Sequence, residues 1–219
     1  MFDEFVVLDF ETTGLDPATD RIIEVSALKY KDGILIDEFH TLINPKIKIP
    51  YEITEINGIT NAMVKKKPTI DEVLPKLLDF IGGLPIVAHN APFDAKFLKY
   101  NVLRYYGEDT INNTFVDTLA IARKLYPNLR NHKLETIKKH IKMDVDSHRA
   151  YDDTLVTAEI YLKYCNVLGQ NRADRTDYER KTIKNEIELT SFSELDFPTR
   201  SKKKNQVIIK VNIIPNMLI

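Results

Sequence analysis

The chain has little of what several protein classes require. Its single cysteine, Cys165, excludes an internal disulfide and a cysteine zinc cluster, and points to a reducing compartment. No apolar run reaches the ~20 residues of a membrane span. The amino terminus lacks a charged region followed by an apolar stretch and a small-residue cleavage site, so the expectation is a soluble, cytoplasmic protein. A strong charge of one sign is missing too: the formal net charge is −1 over 219 residues, unlike the basic stripe of a dedicated nucleic-acid binder. That balance leaves a nuclease open, because an acidic pocket filled with divalent cations presents positive charge to phosphate. There is no internal repeat and no low-complexity block.

What is present suffices for a core, with 43% hydrophobic residues. The charge is split unevenly, with 21 Lys+Arg and 25 Asp+Glu in residues 1–165 against 10 and 7 in residues 166–219. The pattern opens with strands. Phe5 to Phe10 is apolar up to Asp9, which suits a strand buried on both faces and ending where polar chemistry begins. Ile22 to Lys31 and Leu35 to Ile43 follow, joined by a Lys31-Asp32-Gly33 turn.

Short irregular helices are expected over Pro50 to Met63, then a clearer helix from Pro68 to Ile81 closed by Gly82-Gly83. A fourth strand (Pro85 to His89), a helix (Pro92 to Tyr105) and a short fifth strand (Thr114 to Val116) come next. Helices over Leu119 to Leu125, Leu134 to Ile141 and Ala150 to Val167 complete the set. This order predicts an α/β domain with a mixed central sheet of about five strands, over residues 1–168. Residues 169–219 form an extension that reads equally as a small add-on, a partner-binding arm or an extra edge strand, the last through Gln206 to Ile214.

Three segments carry chemistry. In Asp9-Phe10-Glu11-Thr12-Thr13-Gly14 the two carboxylates are two residues apart, so on a strand they share a face while Phe10 points into the core. Two hard oxygen donors on one face suit Mg²⁺ or Mn²⁺, and the glycine lets backbone approach a nucleotide. Taken alone, the segment reads first as a solvated strand end plus a turn, because an isolated D-x-E is common. His89-Asn90-Ala91-Pro92-Phe93-Asp94 falls where a strand gives way to a helix, and Asp94 there is either a ligand or a helix-stabilising acid. His89 also suits a buried, hydrogen-bonded role. In His148-Arg149-Ala150-Tyr151-Asp152-Asp153 the adjacent aspartates diverge by about 100° on a helix, so one of them faces any common centre.

Taken together and in this order, the segments resemble the three exonuclease motifs of the DnaQ-like 3′→5′ exonucleases, in the branch with four acidic residues and a histidine called DEDDh. Asp9 and Glu11 match the first motif, Asp94 the second, and His148 with Asp153 the third, of pattern H-R-A-x-x-D. The position four residues before Asp153 holds Arg149 rather than the tyrosine of the sister branch. The resemblance covers residues 3 to 165 and is similar to the exonuclease part of bacterial DNA polymerase III.

The resemblance implies an RNase H-like fold and release of nucleoside monophosphates from a nucleic-acid 3′ end. It implies two Mg²⁺ or Mn²⁺ ions held by Asp9, Glu11, Asp94 and Asp153, with His148 as the base that deprotonates the attacking water. It also implies that Thr12, Thr13, Gly14 and Leu15 line the terminal nucleotide and that Asn90 and Phe93 orient the scissile end. Asn57, in Ile56-Asn57-Gly58-Ile59, replaces a histidine frequent in the family. Lys65-Lys66-Lys67 and Lys202-Lys203-Lys204 are either phosphate contacts or solvated surface. A DNA substrate in proofreading or repair is the leading expectation, with a replication polymerase as a partner of the extension. A 3′ exoribonuclease and a non-catalytic subunit bound to a polymerase or helicase are the alternatives.

Overall fold

The computed structural model describes residues 2–143 and 149–173. Its elements run β1 (Glu4–Thr12), β2 (Ile22–Lys31), β3 (Ile34–Leu42), α1 (Tyr51–Asn57), α2 (Asn61–Val64), α3 (Ile70–Ile81), β4 (Ile86–Ala88), α4 (Ala91–Tyr106), β5 (Phe115–Asp117), α5 (Thr118–Leu125), α6 (Leu134–Ile141) and α7 (Ala150–Ala173). The strands form one sheet in the order β3-β2-β1-β4-β5. The β1–β2 and β2–β3 pairs are antiparallel, and β1–β4 and β4–β5 are parallel. The β2–β3 turn has Asp32 and Gly33 at φ 51° and 78°, the doubly positive pair that a tight hairpin requires and that glycine adopts without penalty. A parallel β4–β5 pair instead needs a crossover, which α4 provides.

Strand alternation sorts β1 between two layers. Val6, Leu8 and Phe10 enter one core with Leu74 and Leu77 of α3 and Phe97 and Leu98 of α4. Phe5 and Val7 enter the other with Ile121 of α5, Ile137 of α6 and Tyr161 of α7, where the Phe5 and Tyr161 rings meet edge to face at 4.7 Å. A third small cluster, Ile23, Ile49, Ile59 and Val64, seats α1 and α2. By the same alternation Asp9 and Glu11 fall on the face that α7 covers. The central strand therefore delivers its two acids to the last helix.

Boundaries differ from the sequence reading at informative places. Helix α3 begins at Ile70, two residues after Pro68, because Thr69 caps it and the Glu72 carboxylate accepts from the Thr69 amide (2.6 Å) and hydroxyl (2.9 Å). Helix α7 continues past Gly169 to Ala173, since a glycine inside a helix costs only about 1 kcal/mol and does not by itself stop it. Residues 174–219, including the expected strand over Gln206 to Ile214 and Lys202 to Lys204, lie outside the described residues.

The layer that holds α4 depends on Phe97, which is fully buried. Phe97→Ala is expected to lower stability by about 3–5 kcal/mol. Urea denaturation of the two proteins measures the difference, and a loss below about 1 kcal/mol contradicts the packing described.

Candidate active site

Asp9 and Glu11 close β1, and Asp153 is the fourth residue of α7. Ligand oxygens of all three lie within 4.8 Å of one another. Asp94, the fourth residue of α4, is outside that group but enters from the opposite layer: it is buried, and its Oδ1 accepts the Phe10 amide at 3.1 Å. Because Phe10 sits between Asp9 and Glu11, this bond fixes α4 against the strand that carries both acids.

Such crowding shows in the proton affinities. Burial, then the charges of Asp94, Glu11, Asp153 and Glu24, hold the Asp9 carboxyl well above the usual carboxylate range. Glu11 is pushed up to about 7 by burial, against the lowering effect of its bond from Asn57, with Asp153 and Glu24 adding to the rise. Burial also raises Asp94, although the Phe10 amide opposes it. Carboxylates this close resist joint ionisation unless protons or cations join them. Hard oxygen donors packed in this way fit a divalent cation of the Mg²⁺ or Mn²⁺ type.

One residue central to this arrangement carries no motif. Glu24 of β2 pairs with Glu11 in the strand register and its side chain is fully buried. Its carboxylate accepts from Arg149 Nη2 at 2.6 Å, Arg149 Nε at 3.2 Å, the Ala150 amide at 3.1 Å and His40 Nε2 at 3.0 Å. Burial alone raises the Glu24 pKa, but the bonds from His40, Arg149 and Ala150 outweigh it and hold the group at about 2. The Arg149 carbonyl in turn accepts the Asp153 amide at 3.0 Å. Next to Asp153, the Thr154 hydroxyl donates to the Tyr151 carbonyl (2.6 Å) and therefore accepts from Ser26 (2.9 Å). The start of α7 is thus pinned to β2 on both sides of Asp153. The sequence signal was available: Glu24 is the lone charge in Ile22-Ile23-Glu24-Val25, and a buried charge requires a partner.

Asn57 is the second such residue. It is buried, donates from Nδ2 to Glu11 Oε2 at 3.1 Å and accepts the Ile59 amide at Oδ1. Its side chain thus orients a carboxylate of the site. The loop after β1 is fixed internally. Thr12 donates to the Gly14 carbonyl (2.6 Å), while Thr13 donates to Asp20 (3.1 Å) and accepts the Arg21 amide. A Cβ on Gly14 would come within 2.5 Å of the Asp20 carboxylate, so glycine is needed here for packing. Leu15 stands 79% exposed beside it.

Asn90 caps α4 from the left-handed region (φ 63°) and is exposed. Phe93 is half-buried against Phe97, with ring centres 5.0 Å apart. His89 has both ring nitrogens engaged, Nδ1 with the Thr118 hydroxyl and Nε2 with the His132 carbonyl. Burial lowers its pKa, so the neutral ring donates from Nε2. His148 lies outside the described residues.

Opposite linkages follow. A carboxyl raised in the native state, such as Glu11, favours folding below its unfolded pKa, and that contribution is lost as pH rises to about 7. A lowered one, Glu24, contributes above its unfolded pKa and loses that contribution as pH falls toward about 2. Mg²⁺ or Mn²⁺ is therefore expected to raise Tm more at pH 8 than at pH 5.5. At about 100 Kd the gain is about 2.7 kcal/mol, or roughly 5–10 °C for a chain this size. Thermal melts with cation and with EDTA give the comparison, and equal shifts at both pH values count against a carboxylate cation site. Glu24→Gln is expected to cost about 2 kcal/mol and to shrink the cation-induced shift at pH 8. An unchanged shift in a destabilised variant separates Glu24 from the site.

The exonuclease family model RNase_T matches residues 6–161. DNA polymerase III PolC-type of Clostridium perfringens is 48% identical over 159 residues, covering 72% of this chain and 11% of that protein. This chain thus spans only a small part of that relative's length. DNA polymerase III subunit epsilon of Aquifex aeolicus is 38% identical over 160 residues, covering 73% of this chain and 79% of the subunit. Among solved structures, Exonuclease X in complex with 5′ overhanging duplex DNA superposes with a TM-score of 0.62 and 29% identity, over 75% of this chain and 93% of that one. E. coli Exonuclease I with a dT13 oligonucleotide shares the fold, with a TM-score of 0.66 at 20% identity over 78% and 42% of the two chains. The mixed five-stranded sheet with flanking helices is the RNase H-like fold of these exonucleases, and the chain belongs to the DnaQ-like (RNase_T) exonuclease family.

Proposed function

We propose that this chain is a two-metal 3′→5′ exonuclease that hydrolyses the terminal phosphodiester of DNA 3′ ends, releasing nucleoside monophosphates in proofreading or repair. The observation that carries the reading is the convergence of Asp9, Glu11 and Asp153 within 4.8 Å, with Asp94 anchored to the intervening Phe10 amide. Asp9, Glu11, Asp94 and Asp153 would hold two Mg²⁺ or Mn²⁺ ions, which when bound would polarise the phosphodiester and acidify the attacking water. His148 takes the proton from that water, a role supported by its motif position ahead of Arg149. Asn57 aims Glu11, and Glu24 holds the helix start that carries Asp153.

Substrate placement follows the same logic. Thr12, Thr13, Gly14 and Leu15 receive the terminal nucleotide, supported by a loop braced on Asp20 that leaves Leu15 exposed. Asn90 and Phe93 flank the scissile end from the α4 terminus. DNA is favoured over RNA because relatives are named as DNA polymerase III components and Exonuclease X is solved on duplex DNA. The exonuclease domain spans residues 1–168, supported by Leu168 packing against the α7-side core. Residues 169–219 dock a replication polymerase or an associated protein. Among the described residues no helix is long and apolar enough to cross a membrane, and the lone thiol suits the cytoplasm.

Purified protein with Mg²⁺ or Mn²⁺ is expected to shorten a 5′-labelled single-stranded DNA oligonucleotide stepwise, and EDTA to stop it. Asp9→Ala should lower the rate on the order of 10³-fold or more, at least ~4 kcal/mol of transition-state stabilisation. Full activity in that variant refutes the site, and strong preference for a matched RNA end refutes the DNA assignment. Deleting residues 170–219 should spare hydrolysis and abolish capture of a replication polymerase. If capture survives, the docking role is wrong.

A further inference from the structure

Beside the acidic centre the chain reverses its charge. Residues 118–143 hold seven lysines and arginines against one carboxylate, Glu135, although residues 1–165 as a whole are acidic. This segment comprises α5, the loop after it and α6, and it walls a cavity of about 460 Å³ lined by His89, Asn90, Leu119, Arg123, Asn131, His132 and Lys133. Among the described residues no carboxylate lines the cavity. Arg123 and Lys133 are exposed, and neither has an ion pair among the described residues. Among the described residues, the cavity thus presents two cations without an ion pair.

Its walls are rigid and tied to the catalytic end of the sheet. One Asp117 oxygen accepts the amides of Asn90 (2.9 Å), Ala91 (3.3 Å) and Leu119 (3.0 Å), which locks the start of α4 to the start of α5. Asn90 lines the cavity, and Asp94 lies one helical turn further along α4. His89 holds the far wall by donating to the His132 carbonyl at 2.8 Å, and His132 Nε2 bonds the Tyr126 carbonyl at 2.9 Å. Asn131 Oδ1 accepts from the Lys133 amide and the Thr136 hydroxyl, which sets the loop that carries Lys133. Arg123 and Lys133 supply the arginine and lysine side chains of the lining.

We propose that this cavity is a subsite for a backbone phosphate of the substrate strand, upstream of the scissile phosphodiester, with Arg123 and Lys133 as its anion-binding groups. The inference rests on the exonuclease reading and deepens it: a centre built from carboxylates holds the scissile phosphate only through cations, so fixed positive charge for the rest of the strand must lie beside it. A product monophosphate, seated by its own base and sugar at the terminal position, does not extend to this cavity. Single strands release counterions in proportion to the phosphates neutralised, which makes the salt dependence a count of the contacts.

The test is binding of a fluorescent single-stranded dT20 to the full chain, followed by anisotropy with Ca²⁺ in place of Mg²⁺. Wild type is compared with R123A, K133A and R123A/K133A. Both side chains are exposed, and thermal melts verify that the variants fold. Each single variant is expected to bind about threefold or more weakly at moderate salt, and the double variant should flatten the slope of log affinity against log salt by about 1.4, roughly 0.7 per lost phosphate contact. Affinity for thymidine 5′-monophosphate should fall much less. Unchanged affinity and slope for dT20 overturn the proposal. So does an equal loss for the mononucleotide, which would assign the cavity to the terminal nucleotide. Hydrolysis of the labelled strand by wild type is scored separately, so an inactive protein with intact Arg123-dependent and Lys133-dependent binding fails the exonuclease reading alone.

Discussion

The bond from Arg149 to Glu24 joins two parts of the chain that are 125 residues apart, and the acidic centre depends on it. A carboxylate in the middle of a buried strand is costly unless its charge is met by several donors. Glu24 has four, and two come from Arg149 and one from the first residue of α7. Those donors make the β2 position tolerable, and they also decide where α7 begins and how Asp153 is presented. Without an ionised Glu24, Arg149 would lose its bidentate partner, and the helix start would lose the carboxylate that accepts the Ala150 amide.

Charge is then distributed by purpose along one edge of the domain. Asp9, Glu11 and Asp153 press together at the end of β1 despite the resistance recorded in the raised proton affinities of Asp9 and Glu11. Glu24 sits close enough to add to that resistance, yet it stays ionised because its own donors overcompensate. Two neighbouring glutamates on paired strands thus take opposite states, one proton-seeking and one firmly anionic. The difference lies in their donors: Asn57 offers Glu11 one neutral hydrogen bond, whereas Arg149 offers Glu24 a charged fork. The net charge of −1 conceals this pattern, as it conceals the cationic stretch from Arg123 to Lys142.

Much of the fold was legible because strand and helix periods differ. The apolar runs of β1 and β2, the Asp32-Gly33 turn and the helix that ends at Ile81 all follow from local patterning. Of the candidate site, Asp9, Glu11, Asp94 and Asp153 stand at element ends, but the resemblance to three ordered motifs, not their spacing, singled them out; the alternation argument put Phe10 in the core, where it lies. Glu24 and Asn57 were not assigned because their partners come from remote segments: nothing local says that a glutamate in β2 will meet residue 149. The fate of Asn57 was the harder of the two. In the sequence it was only a substitute for a family histidine, with no role assigned, whereas packing of α1 on the third core turns it inward to Glu11.

The two helical layers also explain why the site needs a complete domain. Asp9, Glu11 and Asp153 belong to the face covered by α5 to α7, whereas Asp94 arrives from the face covered by α3 and α4. Each layer has its own apolar cluster, and β1 is the strand common to both. Asp9, Glu11 and Asp153 would hold a cation at the strand common to both cores, and Asp94 reaches that strand through the Phe10 amide. The binding free energy of such a cation would add to the stability of the native state. Folding supplies the carboxylates in opposed positions, and that opposition is what a doubly charged ligand relieves.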